Sequence, residues 1–172
     1  MMGSGKTTVG KSLSLKLNRK FIDSDQEIEN ASGLKIKEIF DKFGENYFRR
    51  GEEKVINRII GLEEKVVLSA GGGVFLNKTL RQIINTKGVS IWLNANYKTL
   101  FKRLKKHIDS RPLFKGHNFN ERLNYLINVR EKYYKLSHVI TKVDNNSVSE
   151  IVDNILKSLE NRTLNDKSLS RS

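Results

Sequence analysis

The chain has no cysteine, which excludes a disulfide framework, a thiolate metal site and a cysteine nucleophile. It has one proline, Pro112, and no glycine-proline repeat, so it is neither collagen-like nor a low-complexity tract. No apolar run reaches the roughly 18 residues that a membrane-spanning helix needs. The N-terminus is glycine and lysine rather than a charged-then-apolar secretion signal, which makes the cytoplasm the default address. What remains is a chain of 172 residues, 37% hydrophobic and 30% charged, enough for one domain with a sizeable core and too short for two.

Thirty-two Lys and Arg against nineteen Asp and Glu give a net charge of +13. That balance suits a nucleic-acid binder, a membrane-surface protein or an enzyme of anionic substrates. The excess is concentrated: twelve of the basic residues lie between Tyr97 and Lys142, against Asp109, Glu121 and Glu131. For most of the lysines a solvated surface is the simpler reading.

Val9, Leu13 and Leu17 recur four apart, so Thr8 to Leu17 reads as an amphipathic helix. Phe21-Ile22 reads as a short strand running into Asp23-Ser24-Asp25. Helices are expected over Ile36 to Phe43 and Glu45 to Ile60, divided by Gly44 and preceded by the breaker Ser32-Gly33. Val66-Val67-Leu68 and Val89 to Leu93 are continuous apolar runs, as strands buried on both faces require. Helices Asn77 to Thr86, Tyr97 to Lys106, Phe119 to Ser137 and Ser147 to Leu159 follow, with an irregular segment from His107 to Asn118 and a short strand from His138 to Thr141. Residues 160–172 are polar and expected to fray into a disordered tail. Strands alternating with helices imply an open parallel sheet covered on both faces, with ligands at the strands' C-terminal ends. Asp23, Asp25 and Gly71-Gly72-Gly73 fall there.

Gly3-Ser4-Gly5-Lys6-Thr7-Thr8 opens a helix and carries the second half of the phosphate-loop pattern G-x-x-x-x-G-K-[ST]. Glycines let backbone N–H groups turn toward phosphate oxygens, Lys6 neutralises β- and γ-phosphate charge, and the Thr7 hydroxyl can ligate Mg²⁺. The pattern's first glycine falls one residue before Met1, as does the strand that should carry the loop. The expectation is that the chain lacks its first strand and that Met1 is an internal methionine of a longer protein.

The chain resembles shikimate kinase, a small P-loop kinase of aromatic amino-acid biosynthesis, from Met1 to about Leu159. The resemblance rests on six motifs in order: Met2 to Gly10, Phe21-Ile22-Asp23-Ser24-Asp25, Phe48-Arg49-Arg50-Gly51-Glu52, Gly71-Gly72-Gly73, Arg111-Pro112-Leu113 and Arg130-Glu131-Lys132-Tyr133-Tyr134. It implies a three-layer α/β P-loop fold, with five parallel strands in the full-length protein, and ATP-dependent phosphorylation of shikimate to 3-phosphoshikimate with Mg²⁺. It implies a monomer whose partners are ATP and shikimate, neither nucleic acid nor a membrane.

Carried over residue by residue, the resemblance places shikimate against Asp25, Arg49, Gly71, Gly72, Gly73 and Arg130, and the nucleotide against Gly3, Ser4, Gly5, Lys6, Thr7, Thr8, Arg103 and Arg111. It makes Asp25, Lys6 and Arg111 catalytic, puts Thr7 and Asp23 at the metal, and makes Glu52 the group that holds Arg49. It also makes residues 107–118 a lid. The chemistry agrees: two arginines can clamp a carboxylate in fork geometry, while Asp25 accepts hydrogen bonds from hydroxyls and can take a proton.

Simpler readings stand beside these. The aspartates can cap a helix, Arg49 and Glu52 can form an i, i+3 surface ion pair, and three glycines can merely end a strand. Tyr133 and Tyr134 read as core, and His107, His117 and His138 as surface or packing residues. Competing functions are another small-metabolite kinase, such as a gluconate kinase, and a non-catalytic polyanion binder whose affinity falls steeply with salt.

Overall fold

In a computed structural model, residues 1–62, 64–106, 108 and 111–169 are described, the side chains as far as residue 164. Helix α1 (Lys6–Lys16) leads from the glycine loop to β1 (Lys20–Asp23), α2 (Ser24–Ser32), α3 (Ile36–Ile60) and β2 (Val66–Ser69). A 3-10 turn at Val74–Leu76 and α4 (Lys78–Lys87) precede β3 (Ile91–Asn94) and α5 (Tyr97–Lys105). A second 3-10 turn at Pro112–Phe114, α6 (Phe119–Tyr134), β4 (Val139–Lys142) and α7 (Val148–Leu169) complete the order.

All four expected strands form, and all pair in parallel. They do so as two separate pairs rather than one sheet: β1 with β2, Ile22 opposite Leu68, and β3 with β4, Leu93 opposite Thr141. Among the described residues no ladder joins β2 to β3. Side chains join them instead, because Val67 of β2 and Ile91 and Leu93 of β3 meet Val9 and Leu13 of α1 and Ile151, Val152 and Ile155 of α7 in one apolar cluster. On the opposite face Ile22 and Leu68 pack against Ile39, Phe48 and Val55, while Trp92 packs with Leu104, Leu123 and Leu126. Strands β2 and β3 thus send side chains to helices on both faces, the α/β arrangement their near-continuous apolar sequence calls for, while β4 buries one face, Val139 and Thr141, and exposes Ile140 and Lys142.

Gly44 breaks α3 as expected, with φ 78 and ψ 175 inside an otherwise helical run. Helix α2 was not expected. It carries one buried apolar side chain, Ile28, and is set instead by its ends: Asp23 accepts a hydrogen bond from the Asp25 N–H at 3.1 Å, and Gly33 closes it at φ 69. Helix α7 continues through residues 160–169, since Glu160 to Leu169 holds no glycine or proline to stop it and the Thr163 hydroxyl donates back to the Leu159 carbonyl at 3.0 Å. Of the expected lid, His107, Asp109 and Ser110 lie outside the described residues. The remainder is anchored by the buried Phe114, by Arg122 Nε donating to the Leu113 carbonyl at 3.0 Å, and by Lys115 against Asp41 of α3 at 2.6 Å.

Candidate active site

The glycine loop turns through left-handed backbone at Gly3 (φ 74) and Gly5 (φ 95), conformations that side chains disfavour, and so delivers the first N–H groups of α1 to one point. Buried Ser4 steadies the turn by donating from Oγ to the Met1 carbonyl at 2.8 Å. Lys6 Nζ reaches the same carbonyl at 3.2 Å. Its pKa is lowered chiefly by burial, against the pull of the Asp25 and Asp23 carboxylates. Thr7 Oγ1 donates to Asp23 Oδ2 at 2.8 Å, joining the first turn of α1 to the end of β1. Asp23 therefore does two things at once, capping α2 through one oxygen and holding Thr7 through the other.

A cavity of about 860 Å³ opens over this loop, lined by Gly5, Lys6, Thr7, Asp23, Asp25 and Arg111 among others. Its lining also includes Arg103 and the turn after β4, with Val143, Asn145 and Asn146. Arg103 Nη1 donates to the Gly3 carbonyl at 3.3 Å, so the expected base-side arginine also braces the loop. The Asp144 carboxylate accepts from the Asn96 N–H at 3.1 and 3.2 Å, which holds the turn at Asn145 in place. A second cavity of about 760 Å³ shares Thr7, Asp23, Asp25 and Arg111 and runs on to Pro112 and the start of α3.

The three consecutive glycines each leave room for a different side chain. A Cβ on Gly71 would overlap Glu52 Oε1 and stand 3.1 Å from Asp25 Oδ1. One on Gly72 would stand 3.1 Å from Arg130 Nη1 and 3.4 Å from the Tyr134 hydroxyl, and one on Gly73 would collide with the Arg49 guanidinium. The turn thus collects Asp25, Glu52, Arg130 and Arg49, and the loop and cavities hold the rest of the expected set. Ser24 Oγ accepts from the Gly71 N–H at 2.9 Å and anchors the turn to α2.

Arg49 and Glu52 form the expected i, i+3 pair at 2.8 Å, but not on the surface: Glu52 is 2% exposed. Glu45 grips the other edge of the guanidinium, accepting from Nη2 at 2.8 Å and Nε at 3.1 Å. Arg130 is 4% exposed, and among the described residues no carboxylate pairs with it. Its contacts are Met1 Sδ at 3.9 Å and the neighbouring Tyr134. Asp25 Oδ1 and Glu52 Oε1 are buried and, among the described residues, without hydrogen-bond partners. Burial pushes both acids above the usual carboxylate range, Asp25 further through the neighbouring Asp23 charge and Glu52 through Asp25. The site holds a buried cation that, among the described residues, no carboxylate bridges, and two unsatisfied acceptors around one glycine turn, a distribution that a ligand carrying one anion and several hydroxyls completes.

Thr7 and Asp23 offer a hydroxyl and a carboxylate at a helix N-terminus, the hard oxygen donors that Mg²⁺ takes. Among the described residues no group of three His, Asp or Glu gathers around one point. No described helix is long and apolar enough to cross a membrane. The sequence did not reveal Ser24, Glu45 or Tyr134 as parts of the site. Glu45 was findable as the i−4 neighbour of Arg49; the other two act across 47 and 62 residues of chain and left no local signal.

The family model described as shikimate kinase matches residues 2–160. A shikimate kinase of Zymomonas mobilis is 43% identical over 159 residues, covering 92% of this chain and 89% of its own. Among solved structures, shikimate kinase from Acinetobacter baumannii in complex with shikimate superposes with a TM-score of 0.89 at 31% identity, covering 95% of this chain and 90% of that one. A gluconokinase from Sinorhizobium meliloti, 18% identical at a TM-score of 0.62 over 99% of this chain and 93% of its own, shares the fold alone.

Proposed function

The chain belongs to the shikimate kinase family, and from that premise we propose that it transfers the γ-phosphoryl group of ATP to the 3-hydroxyl of shikimate in the shikimate pathway. The observation that carries the acceptor is Arg130, buried and, among the described residues, bridged by no carboxylate, beside a glycine turn whose other side presents two unsatisfied carboxylate oxygens. Shikimate has one carboxylate and three hydroxyls. Its carboxylate takes the guanidinium groups of Arg130 and Arg49, and its hydroxyls donate to Asp25 and toward Glu52.

The ATP phosphates sit on the N–H groups of the Gly3–Thr8 loop, with Lys6 on their charge and the base end toward Arg103 and the 143–146 turn. Thr7 and Asp23 would hold Mg²⁺, which would supply screening of the phosphate charge. Asp25 orients the acceptor hydroxyl and takes its proton as the oxygen–phosphorus bond forms and the bond to the ADP oxygen breaks. Burial makes Asp25 a better base than an exposed aspartate. Arg111 and Lys6 offset the charge on the transferring group. The reading takes the enzyme as a cytoplasmic monomer, following family precedent.

A coupled ADP-release assay with ATP, Mg²⁺ and shikimate tests it. ADP release that requires shikimate is the expected result. Release that is indifferent to shikimate, or that gluconate supports equally, overturns the acceptor assignment.

A further inference from the structure

Helix α6 presents two buried side chains one turn apart, Arg130 and Tyr134, 4% and 7% exposed, to the same glycine turn. The Tyr134 hydroxyl donates to the Gly72 carbonyl at 2.6 Å. Its ring is held by Trp92, tilted, with centroids 5.7 Å apart. Burial keeps the phenol's pKa above its ordinary value, so it remains a donor across the neutral range.

A peptide plane fixes its N–H opposite its C=O. Tyr134, by drawing the Gly72 carbonyl toward α6, turns the Gly73 N–H the other way, and among the described residues that N–H has no partner. Three glycines in a row leave this plane with little intrinsic preference. The flanking groups are already occupied: Gly71 N–H on Ser24 Oγ, the Gly71 carbonyl on the Val74 N–H at 3.2 Å, and the Gly73 carbonyl on the Leu76 N–H at 3.0 Å. The hydroxyl of Tyr134 is what fixes the plane between them.

We propose that Tyr134 is a positioning residue of the acceptor site: it sets the Gly72–Gly73 peptide plane and so aims the free Gly73 N–H. The assignment rests on the acceptor reading above. A hydroxyl that only packed the core would affect stability and leave the two substrates' kinetics alike.

The test is steady-state kinetics of the full chain carrying Tyr134→Phe, with shikimate and ATP varied separately, beside melting curves. The expected result is a KM for shikimate raised about tenfold, a KM for ATP within about twofold of the unsubstituted chain, and a nearly unchanged melting temperature. An unchanged shikimate KM, or equal rises in both KM values with a lower melting temperature, overturns the proposal. Tyr134→Leu removes ring and hydroxyl together; if it alone impairs the enzyme while Tyr134→Phe behaves as the unsubstituted chain, the residue is packing and the proposal is overturned. Failure of the acceptor reading shows separately, as an unsubstituted chain without shikimate-dependent turnover, and removes this assignment with it.

Discussion

The Thr7 hydroxyl stands 2.8 Å from Asp23 Oδ2, and the other oxygen of the same carboxylate caps α2. One side chain therefore couples the phosphate loop, the proposed metal position and the helix that carries Asp25.

Substitutions separate these roles. Asp23→Asn keeps a capping oxygen and removes the charge, so the Mg²⁺ concentration for half-maximal ADP release should rise several-fold with the melting temperature unchanged. Asp23→Ala should add a loss of about 1 kcal/mol from the missing cap. Equal Mg²⁺ dependence in Asp23→Asn and the unsubstituted chain would remove Asp23 from the metal site.

Asp25→Asn should lower kcat by about 10²–10⁴-fold, the range expected for loss of a proton acceptor. Affinity for ATP, measured by calorimetry, should survive because Asp25 lies on the acceptor side of the loop. Turnover near that of the unsubstituted chain would withdraw the catalytic role.

Gly73 has φ −91 and ψ −23, which alanine adopts readily, so Gly73→Ala changes the space and not the backbone. The added methyl collides with the Arg49 guanidinium. The shikimate KM should rise at least about tenfold while the ATP KM holds, if one buried charge-assisted contact is lost. Parallel rises in both would show that the glycine serves the fold as a whole.

The pH profile should be narrowed from both sides. Asp25 must be ionised to take a proton, and its raised pKa means that activity falls on acidification at a pH above the usual aspartate range. Lys6 must be charged to meet phosphate, and its lowered pKa means that activity falls on the alkaline side below the usual lysine range. In kcat/KM against pH, Asp25→Asn should abolish the acidic limb; persistence of that limb would assign it to another group.

The four strands were legible because each is a short apolar run between breakers. Helix α2 was not, because a single apolar residue, Ile28, gives no period to read; its evidence is the cap at Asp23 and the left-handed Gly33. In the site, the phosphate loop was legible because a loop that binds through its backbone must write its glycines at fixed, closely spaced positions, here Gly3 and Gly5 just before Lys6. The burial of Glu52 was not, since a Glu three residues after an Arg on a helix reads equally as solvent-facing. Tyr134 reads as core in sequence and is core in the fold, and only the position of the Gly72 carbonyl reveals its hydroxyl contact.

The division of the strands into two pairs bears on how the chain behaves in a crowded solution. Among the described residues each of the four strands keeps one edge without a strand partner, where a single four-stranded sheet would leave only two such edges. Free edges are templates for pairing with another molecule. A net charge of +13 sets molecules repelling one another before such edges can meet. Colloidal stability then depends on that repulsion, and light scattering should rise as salt screens it or as pH approaches the isoelectric point of about 9.9. The excess of lysine and arginine is in this sense what keeps the protein from itself.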